Sequence, residues 1–312
     1  LTSDRPTPPS GVLVVDKPAG PTSHDVVDRV RHALGTRRVG HAGTLDPFAT
    51  GVLPTCVGKA TRLARFLAEG EKAYRAVVAL GFDTDTDDVT GQPLGPPAPV
   101  PVPAAAVEAA CRALIGPQMQ VPPAYSARRL HGQRLYELAR AGVAVEREPA
   151  SIVIHGLAVI AVNGAHVELD VRCSAGTYVR ALARDLGRAL GTGGHLASLR
   201  RTASGGFGLE DAVSWDELPA LAAERLLGLD RLLPQLPAVR VSEEGAAAVR
   251  HGRDLGVALV ASGFPAPPAP GRMRVLDADG RLLALAVPMG FGVQAGPLPV
   301  PRVLHPDVVL VE

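Results

Sequence analysis

A chain of 312 residues, 46% hydrophobic and 20% charged, can bury one large core and a smaller second one, which excludes disorder throughout. A formal net charge of +1 announces neither nucleic acid nor membrane by global excess. Three cysteines, Cys56, Cys111 and Cys173, with no CxxC pair, exclude a disulfide framework and a structural zinc site and suit a reducing compartment. No charged-then-apolar leader is visible, and every apolar run is interrupted well short of the roughly 20 residues a membrane span needs. A cytoplasmic protein without a membrane partner is expected.

Thr22 or Ser23 can cap a helix with Val26, Val27, Val30 and Leu34 on one side and Gly35 past its end. The spacing predicts further helices over about 59–67 and 104–115, with a strand over 74–80 between them. Residues 151–161 and 166–173 read as an antiparallel pair across Asn163-Gly164. The stripe Val179, Leu182, Ala183, Leu186 and Leu190 predicts a helix ending at Gly191. Pro-rich stretches at 93–103 and 265–270 are expected as loops, because proline lacks the N–H donor and fixes φ. An acidic helical region ends near Pro237, and short β signals at 273–277, 281–287 and 303–311 follow. The organisation expected is an α/β (α+β) domain over 11–237, with a mixed, largely antiparallel sheet and flanking helices, then a small β-rich domain over 238–312.

Charge is unevenly distributed. Segments 11–80, 125–150 and 172–204 together carry an excess of +11, whereas Asp83, Asp85, Asp87 and Asp88 stand in a stretch without a base. If folding gathers the three basic segments, a positive face results despite the near-zero total. The acidic run imitates the start of a calcium loop, but Asp88 replaces the turn glycine and Leu94 stands where the closing glutamate belongs, so no metal is expected. The chain contains no GxxxxGK[ST], GxSxG or HExxH to anchor nucleotide hydrolysis, esterase or zinc-protease chemistry.

The most informative stretch runs from Gly40 to Gly51, GHAGTLDPFATG. Three glycines and Pro47 around one His and one Asp describe a tight loop that presents Asp46 rigidly, although Asp-Pro is also ordinary turn chemistry. With this loop stand Gly11 to Pro18 (GVLVVDKP), Lys72-Ala-Tyr74-Arg75, the Thr84 to Asp87 run and Pro123 to Ala127 (PAYSA). Arg134 to Gly142, Gly176-Thr177-Tyr178-Val179-Arg180 and His195 to Thr202 complete the set. In this order the blocks resemble the bacterial tRNA pseudouridine-55 synthases of the TruB type, strongly over 11–218.

That resemblance implies a pseudouridine synthase fold and an isomerase that detaches a T-loop uridine from its ribose, turns it and rejoins it through C5, with no cofactor. It implies Asp46 as the catalytic carboxylate, Tyr74 for the later proton steps and Arg180 as the ion-pair partner that keeps Asp46 ionised. His41 is expected to fill space left by the flipped nucleotide, Tyr178 and Leu199 to line the base pocket, and Lys17 to support the catalytic loop. Arg128, Arg129, Arg134 and Arg140 fall in an insertion over 125–150 that grips RNA in the family, with phosphate contact as their physical role. Ala175 departs from the lysine often found there, which removes one basic contact. The small C-terminal domain resembles a PUA-like RNA-binding module in length and β character. The implied partner is tRNA, with no obligate protein partner. The alternatives are a non-catalytic tRNA-binding or folding protein on the same fold, and a guide-RNA-dependent synthase, which the lack of extra basic tails disfavours.

Overall fold

The computed structural model describes residues 9–125, 129–130, 133–134, 147–265, 271–289 and 303–311. Strand β1 (Gly11–Lys17) runs into helix α1 (Ser23–Ala33), followed by β2 (Val39–His41) and β3 (Thr50–Val57). Thr22 caps α1: its Oγ1 accepts from the Asp25 N–H at 3.1 Å and its own N–H donates to Asp25 Oδ2 at 2.7 Å, a reciprocal capping box. Val26, Val27 and Val30 are buried as the stripe requires, and Gly35 takes the left-handed conformation beyond the helix. The helix expected over 59–67 is instead a 3-10 turn, Gly58–Leu63, leading into the short α2 (Ala64–Ala68). Thr61 Oγ1 donates to the Gly58 carbonyl at 2.8 Å, tightening the turn before an α-helical pitch is reached.

Strand β4 (Lys72–Leu80), helix α3 (Ala104–Ala113), β5 (Gly116–Gln120), the hairpin of β6 (Ala150–Asn163) and β7 (His166–Cys173), helix α4 (Val179–Ala189) and β8 (Gly194–Ser204) complete the large unit. Its principal sheet runs Val213–Ser214, β1, β3, β8, β4, β7, β6, β5. The joins β8 to β3 and β1 to Val213–Ser214 are parallel, while β1–β3, β8–β4, β4–β7, β7–β6 and β6–β5 are antiparallel. The mixed, largely antiparallel sheet with flanking helices is therefore present. Helices α1, α3 and α4 bury Val26, Val30, Val107, Cys111, Leu182 and Leu186 in one core with Leu13, Leu53, Val78 and Leu169 of the sheet.

The Pro-rich stretch is not wholly loop: Pro93–Leu94 pairs antiparallel with Asp83–Thr84. Proline there costs nothing in a central ladder, because this two-stranded ribbon has edges on both sides. Residues 266–270 lie outside the described residues. The region expected to be helical before Pro237 holds only Leu218–Leu221 and two 3-10 turns, Leu209–Asp211 and Leu229–Arg231. Pro219, Gly228 and Pro234 interrupt any longer run.

From Ala238 onward a second, six-stranded sheet includes Met273–Leu276, Leu282–Met289 and Val303–Val309. It also carries a helix that the β pattern did not announce, α5 (Glu243–Arg250), capped by Ser242 Oγ accepting from the Gly245 N–H at 3.1 Å. The two sheets share a core: Leu276, Leu282, Leu285, Val308 and Leu310 pack with Val12, Val52, Cys56, Leu63 and Phe66. The Phe66 ring lies between the guanidiniums of Arg65 and Arg272, each 4.5 Å from its centroid. Among the described residues no helix is long and apolar enough to cross a membrane.

Candidate active site

Asp46 sits in the turn between β2 and β3, and neighbouring elements fix that turn from several directions. Ser23 at the start of α1 donates to the Leu45 carbonyl at 3.0 Å and accepts from the Leu45 N–H at 2.8 Å. Gly20 N–H donates to the Pro47 carbonyl at 2.8 Å. Lys17, at the end of β1, is fully buried, and its Nζ donates to the carbonyls of Pro18, Pro47 and Ala49 at 2.9, 3.1 and 2.7 Å. On the other arm Arg201 of β8 donates to the carbonyls of Gly43 and Thr44, both at 3.2 Å, and to that of Val52 at 2.7 Å. Two buried cations thus brace the loop on either side of the carboxylate. The tight approach of Gly51 to Arg201 leaves no room for a Cβ, and Gly51 has φ +103°.

Arg180, in the first turn of α4, meets Asp46 side-on: Nε lies 2.9 Å from Oδ2, and Nη2 donates to Oδ1 at 3.2 Å. Its remaining donors reach Asp88 Oδ2 at 3.3 Å and the carbonyls of Thr86 and Tyr125 at 3.0 and 2.9 Å. One turn on, Arg184 binds Asp87 Oδ2 at 2.7 Å and the Val121 carbonyl at 3.0 Å. Arg188 and Asp83 follow at 3.6 Å. Three acids of the run that the sequence sets apart from the basic segments, Asp83, Asp87 and Asp88, are therefore matched to the arginines of one helix. Arg200 is likewise paired with Asp16 at 2.7 Å; of these cations Arg180 and Arg184 are buried, whereas Arg188 and Arg200 stay partly exposed with their partners.

Asp46, Tyr74, Tyr178, Arg180 and Leu199 line one cavity of about 330 Å3, together with Lys72, Thr177 and Arg201. Strand register explains the convergence. Tyr74 on β4 pairs with Arg201 on β8, and Ala76 with Leu199, so alternate residues of neighbouring strands share the face below the loop. Tyr178 precedes α4, where its N–H donates to Gln120 Oε1 at 2.8 Å and its carbonyl accepts from Gln120 Nε2 at 3.1 Å. Burial raises the Asp46 carboxyl above the ordinary Asp range, and Arg180 pulls it back. Arg180 is thus the ion-pair partner expected and does favour the ionised carboxylate, but withdrawal from water is the larger influence. Burial likewise raises the Tyr74 phenol, opposed by the charge of the neighbouring Arg201. Burial lowers Lys17 and Lys72, each to about 8.

His41 lies on β2 and does not line the cavity. Burial and the charge of Arg201 lower its pKa, and its Nδ1 is buried without a hydrogen-bond partner. Arg128 and Arg140 lie outside the described residues. Arg129 and Arg134 pair as backbone in a two-stranded ribbon with Leu130 and Gln133. A second cavity of about 470 Å3, lined by Asp87, Met119, Val121, Arg147 and Arg184, has its Asp87 and Arg184 charges engaged with each other. Lys72, Asp88 and Arg201 were not singled out in the sequence as site residues. Strand alternation could have found two of them: Lys72 is two residues from Tyr74, and Arg201 two from Leu199.

The architecture is similar to chains of solved H/ACA ribonucleoprotein structures. Similarity to a chain of the archaeal box H/ACA Nop10–Cbf5 complex covers 99% of this chain and 89% of that one, at TM-score 0.72 and 25% identity. Similarity to a chain of an H/ACA ribonucleoprotein bound to a substrate RNA containing 2′-deoxyuridine covers 97% and 85%, at TM-score 0.71 and 26% identity. Fold and cavity together define the pseudouridine synthase class. The family model for the TruB family pseudouridylate synthase N-terminal domain matches residues 31–179, and that for the tRNA pseudouridylate synthase B C-terminal domain matches 180–235. A tRNA pseudouridine synthase B of Solibacter usitatus is 42% identical over 96% of this chain and 99% of its own length. Another, from Thermobifida fusca, is 47% identical over 88% and 94%. The chain belongs to the TruB family of tRNA pseudouridine synthases, which are isomerases.

Proposed function

We propose that this protein converts the T-loop uridine at tRNA position 55 to pseudouridine, with Asp46, Tyr74 and Arg180 as its catalytic residues. The observation that carries the reading is the Asp46 carboxylate held by Arg180 at 2.9 Å in a cavity that Tyr74 also lines. The uridine is turned out of its stack at a cost of a few kcal/mol, and His41 occupies the space left near the loop. Asp46 meets the ribose and supports C1′ as the bond to N1 breaks. The base turns between Tyr178 and Leu199, C5 bonds to C1′, and the C5 proton is exchanged for one on N1, so the product is an isomer of the substrate. Tyr74, a phenol isolated from bulk water, handles a proton in the later steps.

Arg128 and Arg129 bind phosphates of the T stem-loop, and the β-rich region from 238 grips the acceptor side in the manner of a PUA module. On this reading no cofactor, metal or obligate protein partner takes part. Three buried free thiols suit the cytoplasm. A purely RNA-folding role gives no purpose to a desolvated carboxylate paired with arginine beside a buried phenol. The test is to incubate purified protein with unmodified tRNA, without added cofactor, and map pseudouridine. A single modified T-loop uridine is expected; unmodified RNA, or modification elsewhere only, overturns the reading.

A further inference from the structure

We propose that Arg201 is a positioning residue of this site, strapping the catalytic loop to the central strands and setting the Tyr74 phenol across the cavity from Asp46. The proposal rests on the isomerase reading above for its catalytic consequence, and on strand register, hydrogen bonds and charge for the rest. Arg201 is the largest fully buried side chain, 1% exposed. A buried charge is costly unless matched, and usually a carboxylate matches it. Here no ion pair to Arg201 occurs among the described residues; its donors go to the carbonyls of Gly43, Thr44 and Val52. Those carbonyls belong to the loop that carries Asp46 and to the strand leaving it. A permanently charged fork used to hold neutral backbone is a poor device for stability alone, because an apolar side chain of equal volume would fill the space without the desolvation cost.

Its location supplies the purpose. Arg201 is opposite Gly51 on one neighbouring strand and opposite Tyr74 on the other, so one side chain reaches both catalytic parts. The groups facing Tyr74 are Arg201 from β8, Cys173 from β7 and Asp46 from the loop. The Cys173 thiol is pushed up to about 11 by burial and stays neutral at physiological pH; Lys72 and Arg180 line the same cavity, and Arg201 is the cation with the largest influence on the phenol. Opposite Tyr74 in the strand register and lining the same cavity, the Arg201 guanidinium favours the ionised phenol against the effect of burial. Lysine at 201 would keep charge but lose the fork, and methionine would keep bulk but lose both.

R201K and R201M are to be compared with the parent by thermal unfolding, tRNA affinity, single-turnover rate and ionisation of the tyrosines followed by ring 13C chemical shift, with Y74F to assign the Tyr74 signal. Tyr74 is expected to ionise at higher pH in R201M than in the parent and at an intermediate pH in R201K. The single-turnover rate is expected to fall at least tenfold in R201K and further in R201M, with tRNA affinity within about threefold. An unmoved Tyr74 titration in folded R201K and R201M overturns the proposal, as does a parental rate in R201K. If R201M does not fold, R201K alone decides. The tyrosine titration needs no RNA, so it answers even if the isomerase reading fails, and a parent enzyme without activity condemns that reading and not this one.

Discussion

Lys17 shows how far a residue's role can depart from its appearance in sequence. Read alone, a lysine beside proline near the chain start is a surface cation, yet it is fully buried and donates to three carbonyls around Asp46. Three donors require the ammonium form; a neutral amine has two N–H bonds. With its pKa lowered to about 8, Lys17 loses one of these bonds as pH rises through that value. Pseudouridine formation is expected to fall several-fold between pH 7.5 and 9. Stability moves the other way: the folded pKa lies below the unfolded one, so the unfolded chain binds more protons between about 8 and 10.5, and stability rises with pH across that window. Lys72, also at about 8, donates to only two carbonyls and keeps both when neutral. K17R should abolish the alkaline limb, and K17M should be slow at every pH. A parental limb persisting in a folded K17M would show that another group controls it.

At the scale of elements, α1, the β6–β7 hairpin and α4 were legible because each announces itself locally. Thr22 and Asp25 mark a start, Gly164 a turn, and Gly191 a stop. Strands β1 and β8 were quoted as motifs and β3 not at all, and none was read as a strand: β1 and β3 are covered on both faces and lack alternation, β3 being buried at seven of its eight positions, while β8 carries Ser198, Arg200 and Arg201 in place of an apolar alternation. That loss hid Arg201, whose importance depends on lying beside Tyr74 on another strand. Asp88 was hidden for a related reason, since nothing near it in sequence reveals the arginine helix it faces. Helix α4 approaches β8 so closely that a Cβ at Gly187 would collide with the backbone of Gly193 and Gly194. G187A is therefore expected to push α4 outward, cost on the order of 2 kcal/mol or more, and misplace Arg180. Single-turnover rate should fall at least tenfold with tRNA affinity much less affected; an unchanged rate and melting temperature would mean that α4 is not held at that crossing.

For the whole molecule, charge arithmetic along the chain does not show which cations folding pairs with carboxylates. Arg180, Arg184, Arg188 and Arg200 all contribute to the expected basic face, yet each has a carboxylate within 3.6 Å. Folding spends these charges on orientation. The change to short β signals after Pro237, by contrast, coincides with the first strand of the second sheet at Ala238, while the apolar joint between the sheets was not visible, because Leu282 and Phe66 meet only in space. A chain ending at 237 would expose Val12, Cys56, Leu63 and Phe66. Such a truncation is expected to lower the melting temperature by more than 5 °C, roughly the effect of losing a few kcal/mol. An unchanged melting temperature would show that the two sheets are energetically independent. RNA binding by the full chain should weaken steeply with added salt if phosphate contacts dominate; a flat response would count against them.

The central claim is that no glycosidic bond breaks without the loop-held carboxylate of Asp46, whatever Tyr74 and Arg180 contribute to the later steps. The most direct measurement is single-turnover pseudouridine formation by D46N alongside its tRNA affinity, since the amide keeps the shape of the carboxylate without its charge. The account predicts no detectable product with affinity within a few-fold of the parent. Product formed by D46N at the parental rate would contradict it.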